Sequence, residues 1–454
     1  MAELKRGLGL LGATDIGIGA IIGAGIFVLS GVAAGLSGPS VILSFVLAGV
    51  TAFLTALSSA ELSSFITEAG GSFIYTEKAF GPRWGFLVGW TKSFDYVVGS
   101  AAVAIGFAAY LGPLIGMSGP LFVIAVASAL PLAFMMLNMR GVKEASGANN
   151  LLVILKVLAL ILFIAVGSSF LIGTGDLSNY RPFFPMGAGG TVAAAAVIFF
   201  AFVGFNTITV MSEEVKSPER NIPRAIMLAF FISTLLYIGV SVVEVGLVDW
   251  RVISTSAAPL ETALRTATSN QLIIGFVSIS ALFATASVVM SSLLGASRAL
   301  FAMGRKGVLP RSLGKVSKRG VPTYTVIIAG AAMAAVVIAS RGNLAALAAV
   351  FNFGTLLTFL FINLSMLRLR STMPEAKRSF TVPLFPLPPV LGIVSCVGLM
   401  AYLNLEALAI ASVWIVVGSL IYWRSQRSRG SSGQEVTGPV GTGPSEVHAP
   451  RQPS

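Results

Sequence analysis

At 454 residues, 55% hydrophobic and 11% charged, the chain is too apolar for a soluble fold, and many windows exceed the roughly 20 apolar residues that cross a bilayer. A membrane barrel is excluded as well, because barrel strands alternate over about ten residues and these segments are continuous runs of Leu, Ala, Val, Ile and Phe. The net charge of +12 does not call for a nucleic-acid partner, since the basic residues are scattered over separate loops and form no single stripe.

The expected class is therefore an all-α multi-pass membrane protein. Twelve apolar windows are predicted, at 10–34, 39–66, 84–111, 119–138, 149–172, 190–212, 224–247, 270–303, 322–340, 344–367, 387–404 and 406–423. The first lacks a small-residue cleavage site and is followed by further spans, so it reads as a span and not a removed signal. With a cytoplasmic N-terminus, the inner segments hold 23 of the 30 Lys and Arg, including Arg140, Lys143, Arg305, Lys306, Arg311, Lys315, Lys318 and Arg319. The outer ones keep Arg181, Arg251, Arg265 and Arg341. The positive-inside rule then places both termini in the cytoplasm, and a plasma-membrane location is expected. Lys92, Lys156 and Arg298 remain, all within predicted spans.

In the first span, the stretch Gly19-Ala-Ile-Ile-Gly-Ala-Gly-Ile-Phe27 carries three glycines where a helix should be most regular. Each costs a helix interior about 1 kcal/mol relative to alanine, and an opened backbone group in lipid must find a partner. The spacing fits either a break around something polar or close helix packing through Gly19 and Gly23. After the second span, Glu68 to Gly81 is amphipathic enough to lie along the interface. The third span carries Lys92 and Asp95 on one helix face, read first as a structural ion pair.

Lys156, in the fifth span, has aliphatic neighbours at every i±3 and i±4 position and lies about 10 Å inside the helix start at 1.5 Å per residue. Snorkelling would cover part of that distance. The alternative is a lysine that gains and loses a proton within a working cycle. The sixth span repeats the theme of the first: Phe199-Phe-Ala-Phe-Val-Gly-Phe205 is followed by Asn206 and Thr207, polar groups that need partners in lipid. An aromatic stripe of this kind fits core packing or a ligand cage. Interrupted spans in first and sixth place suggest two halves of five, the signature of an inverted-repeat transporter with its site at the midplane.

Ser217 with Pro218 is expected to cap a short helix, with Pro223 in the first turn of span seven. Arg298 near the end of span eight reads as snorkelling or loop-paired, and Thr285, Ser287, Ser291 and Ser292 supply hydroxyls there. The expected layout is 1–172 for a first repeat, 173–367 for a second, 368–423 for spans eleven and twelve, and 424–454 as a disordered cytoplasmic tail. One His, His448, and one Cys, Cys396, leave no metal site or Cys/His catalysis and no disulfide-linked accessory subunit. There is no Walker loop and no paired nucleophile and base, so neither direct ATP drive nor an enzyme is expected.

Five motifs in order carry a family resemblance: Gly19 to Phe27; Glu61-Leu-Ser with Gly70, Gly71 and Tyr75, running to Gly89-Trp90; Phe200 to Phe205; Glu214 to Arg224; and Ser297-Arg298 to Leu309-Pro310. Over about its first 370 residues the chain resembles the amino acid, polyamine and organocation (APC) superfamily, close to its cationic-amino-acid-transporter-like and proton-coupled branches. The resemblance implies a LeuT-like 5+5 inverted repeat with twelve transmembrane helices, the first and sixth discontinuous, moving an amino acid by alternating access. It further implies that the amides of Gly23, Ala24 and Gly25 take the substrate carboxylate, as free N–H groups at a helix start can. The carbonyls of Ile21, Phe200 and Val203 would meet the amine, and Phe202 would lie over the site as a gate. Lys156 matches a lysine that in similar proteins stands where sodium sits in sodium-coupled ones, between Gly19 and Ser287. No cofactor is implied beyond H+ as coupling ion. Many similar chains carry an acid where this one has Asn206, which opens the substrate to neutral as well as cationic amino acids. Sodium-independent uniport or exchange, and a receptor that binds without transport, use the same residues.

Overall fold

The computed structural model describes residues 8–68, 70–117, 119–139, 146–210, 214–305, 307, 309–317 and 321–430. Lys5, Arg6, Arg140, Lys143, Lys306, Lys318, Arg319, Arg451 and His448, and the expected tail from 431 onward, lie outside them. Among the described residues there is no strand, only an isolated bridge between Leu8 and Val215. Among the described residues ten helices are long and apolar enough to cross a membrane, and two shorter apolar helices, Thr323–Ala339 and Leu387–Met400, stand at the ninth and eleventh expected windows. The multi-pass, all-helical reading is thus the observed one.

In chain order, the first span is three pieces, α1 (Leu10–Ile21), α2 (Ala24–Phe27) and α3 (Leu29–Ser37), followed by α4 (Val41–Phe65). The amphipathic stretch forms α5 (Ser72–Phe80), and α6 (Pro82–Ile115), α7 (Pro120–Met139) and α8 (Ser146–Thr174) complete the first five spans. The sixth span is α9 (Gly187–Ile198), a 3-10 stretch Phe199–Phe205, and α10 (Asn206–Val210). Then come α11 (Pro218–Leu247), the short α12 (Trp250–Thr255) and α13 (Pro259–Ala267), and α14 (Gln271–Arg305). Last are α15 (Thr323–Ala339), α16 (Leu344–Thr372), α17 (Leu387–Met400) and α18 (Leu405–Gly430).

Two details differ from expectation. Ser217 makes no capping bond and has φ 44°, and α11 begins directly at Pro218 with Pro223 inside it, so no separate short helix precedes span seven. The connection after span seven contains α12 and α13; Asp249 caps α12 by accepting from the Arg251 amide, and Pro259 opens α13. The last helix runs on to Gly430, past the expected boundary at 423.

The first four spans each pack on the one five places later: α1 and α2 on the 3-10 stretch, α4 on α11, α6 on α14 and α7 on α15. That pairing centres the two broken spans. At the end of α4 that faces the 370–382 segment, Glu61 is fully buried and ion-paired to Arg370 at 3.2 Å and Arg378 at 3.1 Å, while the Val382 amide donates to it at 2.6 Å. Two cations and an amide compensate the desolvation of one carboxylate, which fastens the second span to the segment between spans ten and eleven.

Candidate functional site

Both expected breaks exist. α1 stops because Ile22 turns to φ −76°, ψ 99° and Gly23 to φ −147°, ψ −149°, after which a new helical turn begins at Ala24. The amides of Gly23, Ala24 and Gly25 therefore open a turn instead of continuing one, and helix-starting N–H groups have no carbonyl four residues back. No side chain among the described residues accepts from them. All three residues are buried.

The freed carbonyls, by contrast, are met by side chains. The Tyr237 hydroxyl of α11 reaches the Ile21 carbonyl at 2.8 Å and the Ala201 carbonyl at 3.1 Å, so one residue ties the two breaks together. Tyr110 of α6 donates to the Phe27 carbonyl at 2.6 Å. Asn352 of α16 donates to the Ala196 and Val197 carbonyls at 2.7 and 2.9 Å, which α9 releases where it gives way to the 3-10 stretch. An apolar surround leaves the backbone no water, so such partners are what permits the helices to stay open. Sequence reading missed all three, and their only local signal is a polar group in an otherwise apolar span.

Three residues per turn give the 3-10 stretch three distinct faces. Ala201 and Gly204 face the first break: a Cβ on Gly25 would fall 2.4 Å from the Ala201 Cα, and one on Gly204 would fall 2.1 Å from the Ala20 carbonyl carbon. Only glycine permits that approach. Both readings of these glycines thus hold, since the break and the close packing occur together; Gly19 packs on Val153 and Gly23 on Val288.

A second face, Phe199, Phe202 and Phe205, is fully buried. Phe199 and Phe205 pack on Phe359, each at 5.3 Å between centroids, and Phe202 packs on Tyr237 at 5.3 Å and Phe230 at 5.9 Å. Phe202, for which the resemblance implies a gate, lies in the core between α4 and α11. Phe200, Val203 and Asn206 form the third face. Phe200 keeps some exposure and its ring lies 4.4 Å from that of Phe351. Asn206 is 7% exposed, and neither its Oδ1 nor its Nδ2 has a hydrogen-bond partner. A buried amide left so is costly unless something else engages it.

Lys156 does not snorkel. Its side chain is 1% exposed, and its Nζ donates to the Gly19 carbonyl at 3.0 Å and to the Ser287 Oγ at 2.9 Å, while the Ser287 hydroxyl donates onward to the Ala284 carbonyl at 2.9 Å. One ammonium therefore joins α1, α8 and α14. Lys92 lies 3.7 Å from the fully buried Asp95, as an i,i+3 pair, and Thr355 of α16 donates to the same carboxylate at 3.1 Å. That constellation links α6 to α16 and leaves the breaks to the uncharged residues. Arg298 is exposed, and Cys396 is a buried free thiol.

Comparison with known proteins gives a consistent picture. Residues 8–426 match the family model described as amino acid permease. The branched-chain amino acid permease BcaP of Bacillus subtilis is 33% identical, covering 95% of each chain. The methylthioribose transporter of the same organism is 34% identical, covering 94% of each. The vacuolar cationic amino acid transporter 2 of Arabidopsis thaliana is 33% identical over 82% of this chain and 61% of its own. These are transporters and not enzymes.

Proposed function

We propose, for a chain that belongs to the amino acid permease family, that it carries a neutral amino acid across the plasma membrane by alternating access, coupled to protons, with both termini cytoplasmic. The observation that carries this reading is the crossing of the two breaks, which sets Gly25 against Ala201 and Gly204 against the Ala20 and Ile21 backbone, with the amides of Gly23, Ala24 and Gly25 buried. Amides that open a helical turn suit a carboxylate. The Ile21, Phe200 and Val203 carbonyls suit an ammonium, and since Tyr237 already takes one lone pair of Ile21, that carbonyl has one left to offer.

Neutral substrates are favoured because α2 and the stretch 199–206 carry no carboxylate, and a cationic side chain brought into an apolar surround requires one. Asn206, with both polar atoms free, replaces the acid. Lys156 supports proton coupling through its position: it holds the α1 limb of the first span, so a change in its charge alters what fixes that limb. The helix pairing five places apart supports the two-repeat division at 172 and 367.

A thermal-shift screen tests the substrate class. Ligands that bind the folded state stabilise it by about 2.7 kcal/mol at a hundredfold excess over Kd. Small apolar amino acids are expected to raise the unfolding temperature, and Lys and Arg to leave it in place. A response confined to Lys and Arg, or to methylthioribose with no amino acid active, would overturn the neutral-amino-acid reading.

A further inference from the structure

Glu244 is a buried acid with no place in the reading above. It stands in the last turn of α11, is 1% exposed, and accepts at Oε1 from the Ser30 hydroxyl at 2.9 Å. Its Oε2 has no hydrogen-bond partner, and among the described residues no Lys or Arg forms an ion pair with it. Ser30 belongs to α3, the limb of the first span that follows the break.

The groups that face Glu244 offer no compensating cation. Tyr110 of α6 donates its hydroxyl to the Phe27 carbonyl. Glu261 of α13 is engaged by Arg265 at 2.8 Å and by Ser278 of α14 at 2.7 Å. Tyr180 gives its hydroxyl to the Val242 carbonyl at 2.8 Å, and Arg251 of α12 is paired with Asp249 at 3.1 Å. On α8 the charged group is Lys156, held by Gly19 and Ser287; α3 and the facing part of α4 carry none. A carboxylate buried with one hydroxyl donor and no cation is unfavourable, whereas the neutral acid satisfies the same contacts.

Lys156 and Glu244 thus grip opposite limbs of the broken first span, the lysine at Gly19 before the break and the acid at Ser30 after it. We propose that Glu244 is a second proton site, which binds a proton when the α3 limb docks on it and returns it to water when that limb swings away. The proton sits on Oε2, and Oε1 keeps the Ser30 bond. This rests on the proton-coupled reading above and extends it to the face of the membrane that α3 approaches.

Two readouts on purified protein in lipid test it. Infrared difference spectra across a pH titration are expected to show the carbonyl stretch of a protonated carboxyl in the wild type and to lack it in Glu244→Gln. Identical spectra in both would overturn the proposal. In proteoliposomes, Glu244→Gln, whose folding is verified by amino-acid-induced thermal stabilisation, is expected to lose most of the dependence of uptake on the pH of the compartment facing α3, and Glu244→Asp to restore part of it. A wild-type pH profile in Glu244→Gln would also overturn it. Uptake by the wild type that ignores pH while the infrared band still titrates would overturn proton coupling itself, a failure separable from that of Glu244.

Discussion

Proteoliposomes containing Lys156→Ala are expected to accumulate no amino acid when a pH gradient is imposed across the membrane. The ammonium is the point at which α1, α8 and α14 meet, through bonds of 3.0 Å to the Gly19 carbonyl and 2.9 Å to Ser287. Removing it leaves the Gly19 carbonyl without that donor, a loss of about 1–3 kcal/mol for a buried polar group, and takes away the charge through which a proton would act on the α1 limb. The folded fraction is checked by ligand-induced thermal stabilisation, which does not depend on the gradient. Unchanged proton dependence in this variant would remove Lys156 from the coupling machinery.

Gly204→Ala is expected to cost about 3 kcal/mol or more in stability, at or beyond the upper end of ordinary overpacking, and to abolish amino acid binding. The added methyl would fall 2.1 Å from the Ala20 carbonyl carbon and 2.2 Å from the Ile21 nitrogen. Backbone cannot rotate aside as a side-chain tip can, so the two breaks must separate. Gly189→Ala in α9 is the control, because a Cβ there meets nothing within 4 Å; no loss is expected, alanine being the better helix former. Thermal unfolding in detergent, with and without amino acid, distinguishes the two. Equal behaviour would mean that the crossing of the breaks does not organise the site.

The parts of this molecule legible in the sequence are those set by local chemistry. Long apolar runs located the spans to within a few residues, and the glycine cluster in the first and the aromatics around Gly204 in the sixth located the breaks. The contacts of Lys156 with Gly19 and Ser287 followed from family resemblance, since nothing local joins residues 131 and 137 positions apart. What the sequence hid depends on partners remote along the chain. Tyr237, Tyr110 and Asn352 satisfy opened carbonyls from three other helices, and a single polar residue in an apolar span does not announce which backbone it serves. Glu244 was passed over because it stands beside an ordinary-looking helix end and gains meaning only from Ser30, 214 residues away.

The central claim is that the two breaks form a site that recognises an amino acid by its carboxylate and carries it across. Counterflow of a labelled neutral amino acid into proteoliposomes preloaded with the unlabelled one tests this most directly, with the corresponding methyl ester as competitor. The account predicts transient accumulation of label that the free amino acid suppresses and the ester, lacking the carboxylate, does not. Binding without counterflow, or suppression by the ester equal to that by the amino acid, would contradict it.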